Sequence, residues 1–83
     1  MKRIRNIHPG EILSKEFLHP MHISRYQLAR NAGIRLTTIS SIIKGRQRIN
    51  TATANKLSGY FGNTPRFWLE LQQDFDLNRR MRS

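Results

Sequence analysis

Residues 24–44, SRYQLARNAGIRLTTISSIIK, constrain the fold more than any other part of the chain. Two short helices joined by a glycine turn account for the pattern. Ser24 can cap the first helix, about Arg25 to Ala32, because its side-chain oxygen can accept from a free backbone N–H of the opening turn. Leu28 and Ala29 then face inward, with Ala32 one turn on from both. Gly33 stands where the chain must turn, and without a Cβ it takes positive φ at no steric cost. Ile34 packs the turn. Ile39, Ile42 and Ile43 give the second helix, residues 36–44, an apolar face of its own. Ala29 is small, as a close crossing of two helices requires.

The rest of the chain sets the scale. Its 83 residues are expected to form one domain. A domain of that size buries a modest core and often gains stability from a partner. Hydrophobic residues make up 37% of the chain, enough for a helical globule, and no apolar run approaches the ~20 residues that span a bilayer. MKRIRNIHPGEI is basic but lacks the apolar stretch of a signal peptide, and the absence of cysteine fits a reducing cytoplasm, the expected location. There is no cysteine, hence no disulfide framework and no thiolate metal site. Fifteen Lys and Arg oppose five Asp and Glu, a net charge of +10 that attracts polyanions. The basic residues are spread over several elements, which argues against one amphipathic helix lying on a membrane.

Taken in order, residues 1–7 form a basic arm with Lys2, Arg3 and Arg5, which either touches phosphate or frays. His8-Pro9-Gly10-Glu11 opens a helix: Pro9 suits its first turn and Glu11 its positive end. This helix is expected over residues 9–18, burying Ile12, Leu13 and Phe17, with Leu18 either joining that face or bordering it, and Pro20 is expected to bar its continuation. His19 and His22 flank that proline, which breaks the spacing a metal pair needs; no third ligand is near and no metal is expected. After residues 36–44, Gly45 ends the helix, Arg46-Gln47-Arg48 forms a basic loop, and Ile49 tucks back into the core. Asn50 caps a fourth helix, residues 51–61, with Ala54, Leu57 and Phe61 inward. Gly59 inside it either permits a close contact or weakens the helix. Gly62 stops that helix, and Thr64 and Pro65 start a fifth over residues 65–77. Phe67, Trp68, Leu71 and Phe75 on this helix offer more aromatic surface than one face can bury. Part is expected in the core and part as a homodimer contact, so that Trp68→Ala would lower dimerisation. Residues 78–83 read as a basic tail with Arg79, Arg80 and Arg82.

The central layout resembles the helix-turn-helix of DNA-binding proteins. That motif wants Ala at its fifth position, Gly at its ninth and aliphatics at the fourth, tenth, fifteenth and eighteenth. Counted from Arg25, the chain supplies Ala29, Gly33, Leu28, Ile34, Ile39 and Ile42. The expected fold is all-α, a five-helix lambda-repressor-like (XRE-type) domain. His8-Pro9-Gly10-Glu11-Ile12-Leu13, TTISSIIKGRQRI and Phe67-Trp68-Leu69-Glu70-Leu71-Gln72 further resemble the HigA antitoxins, also labelled virulence-associated protein I. The resemblance covers residues 8–77. It implies a homodimeric repressor whose partner is a HigB toxin, an mRNA-cleaving endoribonuclease that the antitoxin neutralises while the pair represses its own operon. Three features depart from that family. Arg35 and Leu36 stand where Ser and Arg are common, leaving a weak cap and an operator sequence not transferable from relatives. Gly59 is the second. The third is the +10 charge, an awkward match for a basic toxin, which points to apolar contact or to an acidic patch such as Glu11 with Glu16.

The DNA-reading residues follow from helical spacing. Thr37, Ser41 and Lys44 lie at i, i+4 and i+7, opposite Ile39, Ile42 and Ile43, so they can enter the major groove while the other face stays packed. Leu36 precedes them on the same edge, reaching a thymine methyl or lying in the core. Arg35 can read a guanine edge or hold a phosphate. Thr38 and Ser40 are expected to face the protein. Arg25, Arg46 and Arg48 are the expected phosphate contacts. Two copies would place their recognition helices about 34 Å apart, one DNA turn, on a near-palindromic operator. Rival readings are a stand-alone or phage-like regulator of the same class without a toxin, and a basic module for RNA or ribosomes. RNA readers usually present aromatics on a sheet or a GXXG loop, and neither is legible here. No catalytic constellation and no cofactor motif is present: Asp74 and Asp76 are expected on opposite sides of a helix end.

Overall fold

The computed structural model describes residues 7–82, and side chains as far as Arg79. Most of the arm and the tail's Arg80 and Arg82 side chains therefore lie outside the described residues. Five helices and no strand occur among those described, within 37 × 24 × 22 Å.

Helix α1 spans residues 9–21 and changes character along its length: α-helical over Pro9–Ile12, π-helical over Leu13–Leu18, α-helical again over His19–Met21. The π segment explains its core face. Leu13 and Leu18 are both buried. Five residues apart, they would point about 140° apart on a regular α-helix of 3.6 residues per turn. The i→i−5 register swings them onto one side. The helix does not stop at Leu18 as expected. Pro20 lies inside the last turn, because the His19 N–H already reaches back to the Ser14 carbonyl and the ladder has shifted ahead of the proline. His22 then takes a left-handed conformation (φ 57°), and the Ile23 N–H returns to the Leu18 carbonyl at 2.9 Å.

At the other end His8 itself caps α1. Its Nδ1 accepts from the Gly10 N–H at 2.9 Å, and its ring stands edge-on to Phe75 with centroids 4.8 Å apart. Burial pushes the His8 pKa below its ordinary value; the Asp76 carboxylate pulls it upward and Arg79 downward. A depressed folded-state value means that the unfolded chain takes up the proton first as pH falls. The contribution is therefore intact above about pH 6.5, the ordinary histidine value, and is lost as pH falls through the lower folded value. Thermal midpoints should decline below that pH, and His8→Asn, which keeps an oxygen cap, should flatten the decline.

Helices α2 (Arg25–Ala32) and α3 (Leu36–Ile43) form the expected pair. Ser24 caps α2 in a reciprocal box: its Oγ accepts from the Gln27 N–H and the Gln27 Oε1 accepts from the Ser24 N–H, both at 3.0 Å. Gly33 closes α2 at φ 73°. Arg35 provides no side-chain cap for α3. Asn50 caps α4 (Thr51–Phe61), and Thr64 and Pro65 open α5. Helix α5 runs over Pro65–Arg82, so the expected tail continues the helix. Leu13, Leu28, Ile39, Ile42, Ile49, Ala54, Leu57 and Trp68 form a core drawn from every helix and from the loop before α4.

Two glycines behave oppositely. A Cβ at Gly10 would overlap the Ile42 carbonyl, so α1 crosses the C-terminal end of α3 backbone to backbone. A Cβ at Gly59 would meet nothing within 4 Å. The close-contact reading of Gly59 is thus set aside. It lies exposed in the interior of α4, where Gly→Ala should stabilise by about 1 kcal/mol, or roughly 4–8 °C in melting temperature for a domain of this size.

Candidate nucleic-acid interface

Helix α3 turns one face inward and the other out. Ile39 and Ile42 are fully buried, and Ile43 packs partly against the same core. Arg35, Thr37 and Lys44 are exposed, while Leu36 and Ser41 are half-buried along the two margins of that outer face. The five expected base-reading residues therefore lie along one helix and its two ends. Ser40, half-buried like Thr38, turns partly towards the protein, and its Oγ accepts from the exposed Arg25 guanidinium, Nη1 to Oγ 3.4 Å. Arg25 thereby bridges the start of α2 to the middle of α3, a contact that helical spacing alone does not reveal.

The loop after α3 is built as tightly as the helix. The Arg46 N–H reaches back to the Ser41 carbonyl at 2.8 Å, with Gly45 at φ 77° between. Arg46 is exposed. Arg48 is also largely exposed but is tied to α5: its Nη2 donates to Asp76 Oδ2 at 2.7 Å. Asp76 Oδ1 accepts from Gln72 Nε2 at 3.1 Å, and Gln72 Oε1 accepts from the Ile49 N–H at 2.8 Å. Asp76 thus stands mid-helix, not at a helix end. Sequence reasoning missed Gln72. The signal was present: it sits one turn from Trp68 on the inward side of α5, and a polar residue there needs partners.

The proposed dimer residues separate. Trp68 has no exposed surface, and its Nε1 donates to Asn63 Oδ1 at 2.9 Å. It packs on Phe17, Phe61 and Phe67 at centroid distances of 5.0, 5.9 and 5.0 Å. It is a core residue and is withdrawn as a dimer contact, because a side chain sealed in its own domain cannot meet a second copy. Phe67 is 36% exposed at the edge of that cluster. Leu71 and Phe75 are half-buried, and both line a shallow groove with Ile7, Ile12 and the exposed Leu77. No residues among those described are grouped to hold a metal ion, and no described helix is long and apolar enough to cross a membrane.

Charge distinguishes this face. All five acidic residues lie at positions 11, 16, 70, 74 and 76, so nothing acidic interrupts the chain between Glu16 and Glu70. Arg25, Arg30, Arg35, Lys44, Arg46 and Arg48 fall in that acid-free stretch, which contains all of α2 and α3. A helix-turn-helix model matches residues 15–69. The chain belongs to the HTH_3 helix-turn-helix family, among the HigA-type antitoxins. It is 39% identical to virulence-associated protein I of Dichelobacter nodosus over 71 residues, 86% of this chain and 66% of that protein. It is 41% identical to antitoxin HigA-1 of Vibrio cholerae over 73 residues, 88% of this chain and 69% of that one. The structure of Pseudomonas aeruginosa antitoxin HigA with the higBA promoter superposes with a TM-score of 0.87 at 37% identity, covering 92% of this chain and 83% of that one. The chain spans about two thirds of the length of the curated relatives it matches.

Proposed function

We propose that this HigA-type protein is a sequence-specific DNA-binding repressor. It acts in the cytoplasm as a homodimer on a near-palindromic operator, and as the antitoxin of a HigB-type toxin. One observation carries the DNA reading: the outer face of α3 is basic at both ends and rich in hydroxyls, in a stretch of chain with no acidic residue from 17 to 69, while its inner face is sealed into the core. That is what insertion into a major groove demands. Thr37 and Ser41 supply hydroxyls that can both donate and accept. Arg35 and Lys44 bracket them, and Leu36 sits at the margin where a thymine methyl would lie. Arg25, Arg46 and Arg48 serve the phosphates and fix the register. Arg35 and Leu36 give the chain an operator of its own.

The toxin reading rests on kinship with HigA antitoxins. Of the acidic pair Glu11 and Glu16, Glu11 shares its carboxylate with the exposed Lys15 at 3.0 Å, which offsets part of the local negative charge. Apolar contact along α5 fits the toxin better. A footprint of the purified protein on the promoter upstream of its own coding sequence tests the DNA reading. Protection of two half-sites about one turn apart is expected, with a log–log salt slope near −0.9 per neutralised phosphate, or about −2.7 to −4.5 for roughly three to five phosphates per monomer. Lys44→Ala should flatten the slope or relax the sequence preference. A uniform, sequence-blind coating of the fragment would refute the repressor reading. Loss of the neighbouring toxin's effect on co-expression tests the antitoxin role.

A further inference from the structure

We infer that Asp76 and Gln72, on α5, are positioning residues for DNA binding: they hold Arg48 and the loop behind the recognition helix in a phosphate-ready conformation. This rests on the DNA reading above and deepens it.

The chain of contacts is continuous. Gln72 is 3% exposed, and both ends of its amide are committed, Oε1 to the Ile49 N–H at 2.8 Å and Nε2 to Asp76 at 3.1 Å. Ile49 is 1% exposed, so the loop is pinned by a buried side chain and a buried hydrogen bond at the same residue. Asp76 spends one oxygen on Gln72 and the other on Arg48. Gln72 therefore fixes the Asp76 carboxylate, and the carboxylate fixes one edge of the Arg48 guanidinium. Arg48 has five N–H donors in a planar fork, and its side chain remains 65% exposed. Its free edge is left to take a phosphate oxygen in a set orientation.

An exposed ion pair adds little to folding, so the pair's value lies elsewhere. Ordering a long side chain on binding costs about 0.5–1.5 kcal/mol, and a side chain already held avoids that cost. Asparagine cannot replace the carboxylate. It has one acceptor oxygen for two donors, and its amide would face either Gln72 or Arg48 with a donor of its own. Simple electrostatics predicts the opposite effect. Removing an acid from a +10 protein raises its charge and should tighten binding to DNA.

The two accounts separate in one experiment on the full chain, using a duplex of its own promoter. Asp76→Asn should weaken binding about threefold to tenfold and flatten the log–log salt slope by about 0.9, the loss of one phosphate contact. Arg48→Ala should flatten the slope equally, and the double variant should be no weaker than Arg48→Ala alone. Tighter binding by Asp76→Asn with an unchanged or steeper slope overturns the inference and makes Asp76 a competitor of phosphate for Arg48. Additive losses in the double variant overturn it too. Failure of the wild-type protein to bind the duplex in a salt-dependent way overturns the DNA reading, and this inference with it.

Discussion

Trp68→Ala should destabilise the fold itself, by about 3–5 kcal/mol, the usual cost of emptying a buried aromatic site. At roughly 4–8 °C per kcal/mol for a domain of this size, the melting temperature should fall by about 12–40 °C. Two terms add. The indole is fully buried against Phe17, Phe61 and Phe67, so truncation removes its contacts with all three rings and leaves a cavity behind. Its N–H also satisfies Asn63 Oδ1, and truncation leaves that oxygen without its indole donor. Loss of dimer or of DNA binding in this variant would then report unfolding, so Trp68 cannot probe the interface. Leu77, 53% exposed on the same helix, can. Leu77→Ser should leave the melting temperature nearly unchanged, as surface substitutions do, while weakening self-association in sedimentation. A Trp68→Ala protein melting within a few degrees of wild type would refute the core assignment.

Trp68 also shows where sequence reasoning reached and where it ended. Local signals transferred well. Ser24, Asn50 and Thr64 each accept from the predicted first-turn N–H, and Gly33, Gly45 and Gly62 each adopt the left-handed conformation at a helix end. These depend on a few neighbouring residues, and so does the inward spacing of Leu28, Ile39 and Ile42. What a helix meets at its surface is a tertiary matter. Periodicity placed Phe67 and Trp68 on a crowded apolar stretch but could not say which of two adjacent rings the core would take. It placed Asp76 at a helix end opposite Asp74 and gave it no partner, because nothing local indicates that Arg48, 28 residues earlier, folds back to it. The π segment of α1 was invisible for a similar reason. The extra residue in its ladder is selected by where Leu13 and Leu18 must point, and only the assembled core states that. At the interface, the spacing of Thr37, Ser41 and Lys44 was legible, and the Arg25–Ser40 contact was not.

Gly10→Ala is the second large effect, and it links the fold to the proposed DNA-reading helix. Gly10 was legible only as part of a helix start. In the structure its missing side chain is what lets α1 lie against α3: a Cβ would strike the Ile42 carbonyl and carbon and crowd the Ile43 Cα. These are backbone atoms of the recognition helix, so no rotamer change relieves the overlap. Either α1 moves off, reopening the core around Leu13 and Ile42, or the end of α3 shifts. Overpacking of this kind costs typically 1–3 kcal/mol and occasionally more. Contact with backbone places Gly10→Ala at about 3 kcal/mol, roughly 12–24 °C in melting temperature. Gly59→Ala is the matched control: the same methyl on the same residue type in open space, with a rise expected instead of a fall. The sign difference isolates the crossing from helix propensity, which favours alanine at both sites. Any folded fraction of Gly10→Ala should also bind the promoter more weakly, because the shifted end of α3 carries Lys44 and leads into the Arg46–Arg48 loop. A Gly10→Ala protein that melts like wild type and binds with unchanged affinity would show that α1 and α3 cross with room to spare.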